Sequence, residues 1–189
     1  LNLNQLTGQI PSELGKLSAL KSLQLGGNDF TGPLPSELLG RFPNVGYPLP
    51  TSSPSVSPSA SPSASSVSPS SSPSASLSLS DLFVYYGVSR QALEDSNSPQ
   101  HAALVWMDIN DSTDLKYKIY RNDLVERFVL VLLHYAMGGA SWLDPVSFLT
   151  SSLTSCAWNS RGAKFGVSCN DDGSVVKLTM SKFLNSSST

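Results

Sequence analysis

The stretch LNLNQLTGQIPSELGKLSALKSLQLGGNDFTGPLPSELLGRFPNV, residues Leu1 to Val45, repeats itself. Leu1, Asn4, Leu6, Thr7, Gly8, Pro11, Ser12, Glu13 and Leu14 recur as Leu25, Asn28, Phe30, Thr31, Gly32, Pro35, Ser36, Glu37 and Leu38, and Ile10 is matched by Leu34, each pair 24 positions apart. Leu23 and Leu25 alternate with Ser22, Gln24 and Gly26. That alternation predicts a short strand with leucines turned inward and small polar residues outward. Asn28 stands where the chain leaves the strand, and its amide can bond neighbouring backbone groups. Gly8 and Gly32 permit a turn, and Pro11 and Pro35 fix φ just beyond it.

A period in the twenties built on Leu-x-Leu-x-x-Asn predicts a leucine-rich repeat solenoid. The run N-x-L-T-G-x-I-P-S-E-L-G-x-L-x-x-L resembles the plant-type leucine-rich repeat of receptor-like kinase ectodomains. Two units are fewer than such an array needs for stability, so the stretch is expected to stack on something else.

The whole chain has 189 residues, room for one ordinary domain or two small ones. Its net charge of −2 and pI of about 5.6 give no electrostatic case for nucleic acid or an anionic membrane as partner. No apolar run approaches the roughly 18 residues of a membrane span; the longest, Phe128 to Leu133, is followed by His134. The chain opens inside a repeat and reads as a fragment.

From Pro48 to Ser80 the chain is almost wholly Ser, Pro and Ala, without a charged or aromatic residue. Too little apolar surface is present to offset the entropy of ordering, so a disordered segment with polyproline II character is expected. Three readings stay open for it: a plain spacer, an O-glycosylated stalk, and a segment phosphorylated at Ser-Pro.

Beyond the tract, helix signals return. Ser80-Asp81 opens a short helix through Tyr86, and Ser89 another through Leu93. Ser98-Pro99 starts a third, with Ser as N-cap and Pro at the first helical position. Asn122-Asp123 begins the longest, an amphipathic helix to about Met137 with Leu124, Phe128, Val131, Leu132 and Tyr135 on one stripe, ended by Gly138-Gly139. Asp144-Pro145 starts a short one through Leu149. Phe165, Val167 and Cys169 alternate, as do Val176, Leu178 and Met180, and the turn signal Asn170-Asp171-Asp172-Gly173 between them predicts an antiparallel hairpin.

The order Glu126-Arg127-Phe128-Val129-Leu130, Gly138-Gly139-x-x-Trp142, Cys156-x-Trp158, Gly166-Val167-x-Cys169, Val176-x-Leu178-x-Met180 resembles the N-terminal capping domain of plant-type leucine-rich repeat proteins. With Ser98-Pro99-Gln100-His101-x-Ala103-Leu104-x-Trp106 after a Ser/Pro tract, the chain is similar to leucine-rich repeat proteins of diatoms and related algae. The resemblance implies that Trp142 and Trp158 fill the open end of a solenoid, and that Cys156 and Cys169 form a disulfide worth about 3 kcal/mol. Such a bridge implies an oxidising compartment. Twelve residues separate these cysteines where the family has about six, and Phe183 stands where it has Asn.

The expected fold is therefore an α/β leucine-rich repeat solenoid fragment over 1–47, a disordered tract over 48–80, a mainly helical capping domain with a short hairpin over 81–184, and a disordered tail over 185–189. The linker length lets the repeats fold back beside Val175 to Met180, in the same chain or in another.

Chemistry-bearing motifs are few. Asp108-x-Asn110-x-Ser112 starts like a calcium loop, but Thr113 and Ile119 replace its Gly and Glu. His101 and His134 have no ligand-spaced neighbours. No nucleophile elbow or phosphate loop occurs, so neither catalytic residue, cofactor nor metal is expected. Asn110 and Asn185 begin N-glycosylation sequons. The functional expectation is a non-enzymatic module, secreted or at the cell surface, anchored if at all through a segment outside this chain. It would recognise a protein, peptide or glycan through Ser22, Gln24 and Gly26, with further leucine-rich repeats as structural partners. Two alternatives stand beside it: the ectodomain fragment of a receptor-like kinase, and a wall or adhesion protein whose glycosylated stalk is the working part.

Overall fold

The computed structural model describes residues 6–42, 78–112, 122–142, 148–159 and 165–180. Most of the Ser/Pro tract, the helix expected from Asp144, the Asn185 sequon and the tail lie outside the described residues.

In the N-terminal units, β1 (Thr7–Gly8) pairs in parallel with β3 (Asp29–Phe30), Thr7 opposite Asp29 and Gly8 opposite Phe30. Between them, a 3-10 turn (Ser12–Lys16) leads to β2 (Ser22–Gln24), and α1 (Ser36–Leu39) follows β3. Gly8 and Gly32 both have φ near +80°, as the turn reading requires. Leu6, Leu14, Leu17, Leu25 and Leu38 are fully buried.

The second region starts earlier than its composition suggests. Ser78 rather than Ser80 is the N-cap: its hydroxyl accepts the Asp81 N–H, and α2 runs Leu79–Tyr85. The helices α3 (Arg90–Glu94) and α4 (Pro99–Ile109) follow, the latter capped by Ser98 with Pro99 in its first turn. The longest helix, α5 (Asn122–Ala136), departs from the amphipathic expectation. Every residue from Leu124 to Leu133 is buried, Glu126 and Arg127 included, because α4, the 3-10 turn of the first unit and the sheet enclose it. Gly138, left-handed at φ +64°, ends the helix region.

β4 (Gly166–Cys169) and β5 (Val175–Thr179) form the expected antiparallel hairpin. On its other edge β5 takes β2 in parallel, Ser22 opposite Lys177, Leu23 opposite Leu178 and Gln24 opposite Thr179. The sheet order is thus β2-β5-β4, and the two leucine-rich units share one hydrophobic core with the helical region.

The expected solenoid does not form. The described residues give five α-helices and two small sheets, of two and three strands, an α/β mix. The reason lies in the sheet: the parallel run stops at β5, whose far neighbour β4 is antiparallel, so no strand is stacked at a constant period beyond it.

Candidate recognition face

Leu23, Leu178 and Val167 form the buried row across the three strands, so their neighbours along each strand turn outward. One outward row is Ser22–Lys177–Ser168 and the next is Gln24–Thr179–Gly166. Gln24 and Lys177 are exposed, Ser22, Ser168 and Gly26 half-buried, and Thr179 buried. Gly166 is buried as well, covered by the Trp158–Asn159 segment, so the open part of the face is the half-buried Ser22 and Ser168, from beside which an amide and an ammonium project. The structure sets the predicted Ser22 and Gln24 on one side of β2 with Gly26 just beyond its end, and adds Lys177, which alternates with Val176 and Leu178 and was not among the predicted residues.

Beneath this face the backbone is held by the half-buried Asn28 and the buried Glu126. Asn28 Nδ2 donates to the Leu25 carbonyl at 2.8 Å and the Met180 carbonyl at 2.7 Å, and its Oδ1 accepts the Leu6 N–H at 3.4 Å. Glu126, on α5, accepts the Val175 N–H at 3.0 Å. Burial pushes the Glu126 pKa up, the Val175 bond pulls it down, and Asp123 adds to the rise.

The deepest charge is Arg127, fully buried. Its Nε donates to Asp111 at 2.8 Å and Nη1 to the Leu153 carbonyl at 2.8 Å, while the guanidinium carbon lies 4.5 Å from the Trp158 ring centre and 5.4 Å from that of Trp106. Burial lowers its pKa, and the Asp111 carboxylate opposes the fall. Neither the Arg127–Asp111 pair nor its burial was foreseen; Glu126 and Arg127, the two charges between Leu124-Val125 and the apolar run Phe128 to Leu133, were the available signal.

Trp142 and Trp158 pack inside the helical region, with Phe148 about 5 Å from each, rather than closing a solenoid end. The Cys156–Cys169 disulfide is formed, its Cα atoms 5.6 Å apart, and ties the 3-10 turn Ser155–Ala157 to the end of β4. The longer loop between the cysteines does not prevent the bridge.

The histidines serve packing. His101 Nδ1 donates to the Leu93 carbonyl at 2.7 Å, joining α4 to α3. His134 stacks edge-on with Trp142, and Nδ1 has no hydrogen-bond partner among the described residues; burial lowers its pKa. Asn110 is exposed at the end of α4, next to the Asp111 held by Arg127.

An open cleft of about 400 Å³ lies where the first unit meets the helices, lined by Ser12, Glu13, Gly15 and Lys16 with Glu37, Gly87 and Ser89. Lys16 is already committed there, donating to the Tyr86 carbonyl at 2.8 Å and the Gly87 carbonyl at 3.2 Å. Among the described residues no group of three or more His, Cys, Asp or Glu is placed to hold a metal, and no helix is long and apolar enough to cross a membrane. The disulfide suits an oxidising, extracellular-type environment. Comparison of the chain with protein-family models, with curated proteins and with solved structures finds no match.

Proposed function

We propose that the chain is a non-enzymatic recognition module of a secreted or cell-surface protein, and that it binds an extended peptide segment on the outer face of β2-β5-β4. One observation carries the reading. Gln24 and Lys177 project from neighbouring rows beside the half-buried Ser22 and Ser168, while Gly166 and Thr179 in the Gln24 row are buried. Small side chains let a partner backbone approach closely, and the amide and ammonium supply directional hydrogen bonds. The inner row of the sheet, Leu23, Leu178 and Val167, is buried, so the strands that carry the face are already ordered before a partner arrives.

The test is a random peptide library displayed on phage and panned on the oxidised full chain. Peptides enriched on the wild-type chain should lose binding to a Gln24→Ala, Lys177→Ala variant whose melting temperature is unchanged. Peptides that bind both chains equally, or no enrichment over a blank surface, would refute the assignment.

A further inference from the structure

The joint between residues 6–42 and 78–180 has a register of its own. Gln24 lies opposite Thr179, and the Met180 N–H donates to the Gln24 carbonyl at 2.8 Å, so Met180 stands beside Leu25. By the sequence period of 24, Leu25 has its counterpart one repeat earlier at position 1, which lies outside the described residues. Met180 therefore occupies the position that the repeat assigns to its own preceding strand. Asn28 reads both sides of that substitution, since one amide bonds the Met180 carbonyl and the Leu6 N–H.

Other contacts make the surface specific for such a unit. A Cβ at Gly8 would lie 2.2 Å from the Ala136 carbonyl oxygen, so only this turn glycine admits the end of α5. Lys16 satisfies the carbonyls at the end of α2. Not one of these contacts is covalent, and the single disulfide lies wholly within the C-terminal region.

We propose that the β5 edge, with the ends of α2 and α5 beside it, is a docking site for a leucine-rich unit as such, however that unit is delivered. Residues 6–42 of a second copy take the site whenever the chain's own are released. In the intact chain the tethered unit prevails, because a connection of this length holds it at an effective concentration on the order of millimolar. Cutting the connection removes that advantage and leaves the surface to decide.

The experiment uses the full chain with a protease site inserted after Ser65, in a natural-abundance and a nitrogen-15-labelled preparation. After cleavage, native mass spectrometry should find the two fragments still associated. Mixing the two preparations should yield hybrid complexes in amounts comparable to the parental ones. Two further chains locate the exchange: one preparation carries Ser22→Cys and the other Lys177→Cys, which face each other across β2–β5. A disulfide between fragments of different preparations is expected. Fragments that separate at micromolar concentration, or that stay paired without forming hybrids, overturn the proposal. A Gly8→Val version of the cut chain should lose hybrid formation while retaining the Cys156–Cys169 bridge; hybrids formed as readily as before would equally overturn it.

Discussion

In residues 6–42 the interior is built from leucines at one repeated spacing, whereas in residues 78–180 it is built from Trp106, Trp142, Trp158, Phe83 and Phe128 around a buried arginine. The first region stitches itself with side chains that satisfy backbone carbonyls. Arg41 donates to the carbonyls of Gly15, Leu17 and Leu20 at 2.9 to 3.0 Å, locking the second unit onto the first. The second region is locked by a disulfide, a buried ion pair and aromatic contacts such as that of Trp106 with Trp158. The difference teaches which region depends on which. A unit of 24 residues cannot bury both of its faces, so its stability comes from the neighbour it stacks on. The aromatic region carries its own lock.

The largest expected effect comes from removing the dependent region. Deleting residues 1–42 strips β2 from β5 and uncovers the core beneath Leu178 and Met180. The loss should be on the order of 5 kcal/mol, seen as a lower urea midpoint with the disulfide still formed. An unchanged midpoint would show that the two regions are merely adjacent.

Next is Asp111→Ala, which leaves Arg127 buried without its carboxylate and should cost about 3–5 kcal/mol in urea unfolding. A cost near that of an exposed pair, below about 1 kcal/mol, would mean that the guanidinium is satisfied by carbonyls alone.

A pair of glycines sharpens the comparison further. Gly8 and Gly32 hold equivalent positions with φ of +83° and +80°, so Ala suffers similar backbone strain at either. At Gly32 the added Cβ finds only the Gln9 side chain, 3.5 Å away, but at Gly8 it meets the Ala136 carbonyl. Gly8→Ala should therefore cost more than Gly32→Ala, by about 2 kcal/mol, and equal costs would deny the close approach of unit to helix.

The smallest effect is electrostatic. Burial raises the folded-state pKa of Glu126 above its unfolded value, so the folded chain holds that proton more tightly. The stability this contributes is present below the unfolded pKa and is lost as pH rises through the folded one. Glu126→Gln, which can still accept the Val175 N–H, should gain on the wild type by a few degrees in melting temperature from about pH 4 to about pH 7. A constant difference across that range would place the carboxyl in a water-like setting.

Much of the local structure was legible in the residues themselves. The Ser98-Pro99 helix start and the Asn170 to Gly173 turn are short-range signals, and each formed as read. The outward setting of Ser22 and Gln24 followed from period-two alternation alone. The sheet edge that β2 would take was foreseen only as a possibility of linker length. Its register, and the end of the parallel run at β5, are set by contacts between residues more than 150 positions apart.

The sequence by itself determined the elements and the side that each turns inward, because periodicity and turn chemistry act over a few residues. Only the tertiary structure decided that Arg127 and Glu126 are enclosed and that the strand of Lys177 lies beside that of Ser22 and Gln24. It also decided that residues 6–42, within the stretch read as a solenoid fragment, instead dock on a helical region. Those outcomes depend on which surfaces meet, and burial of a charge or pairing of an edge exists only once both partners are in place.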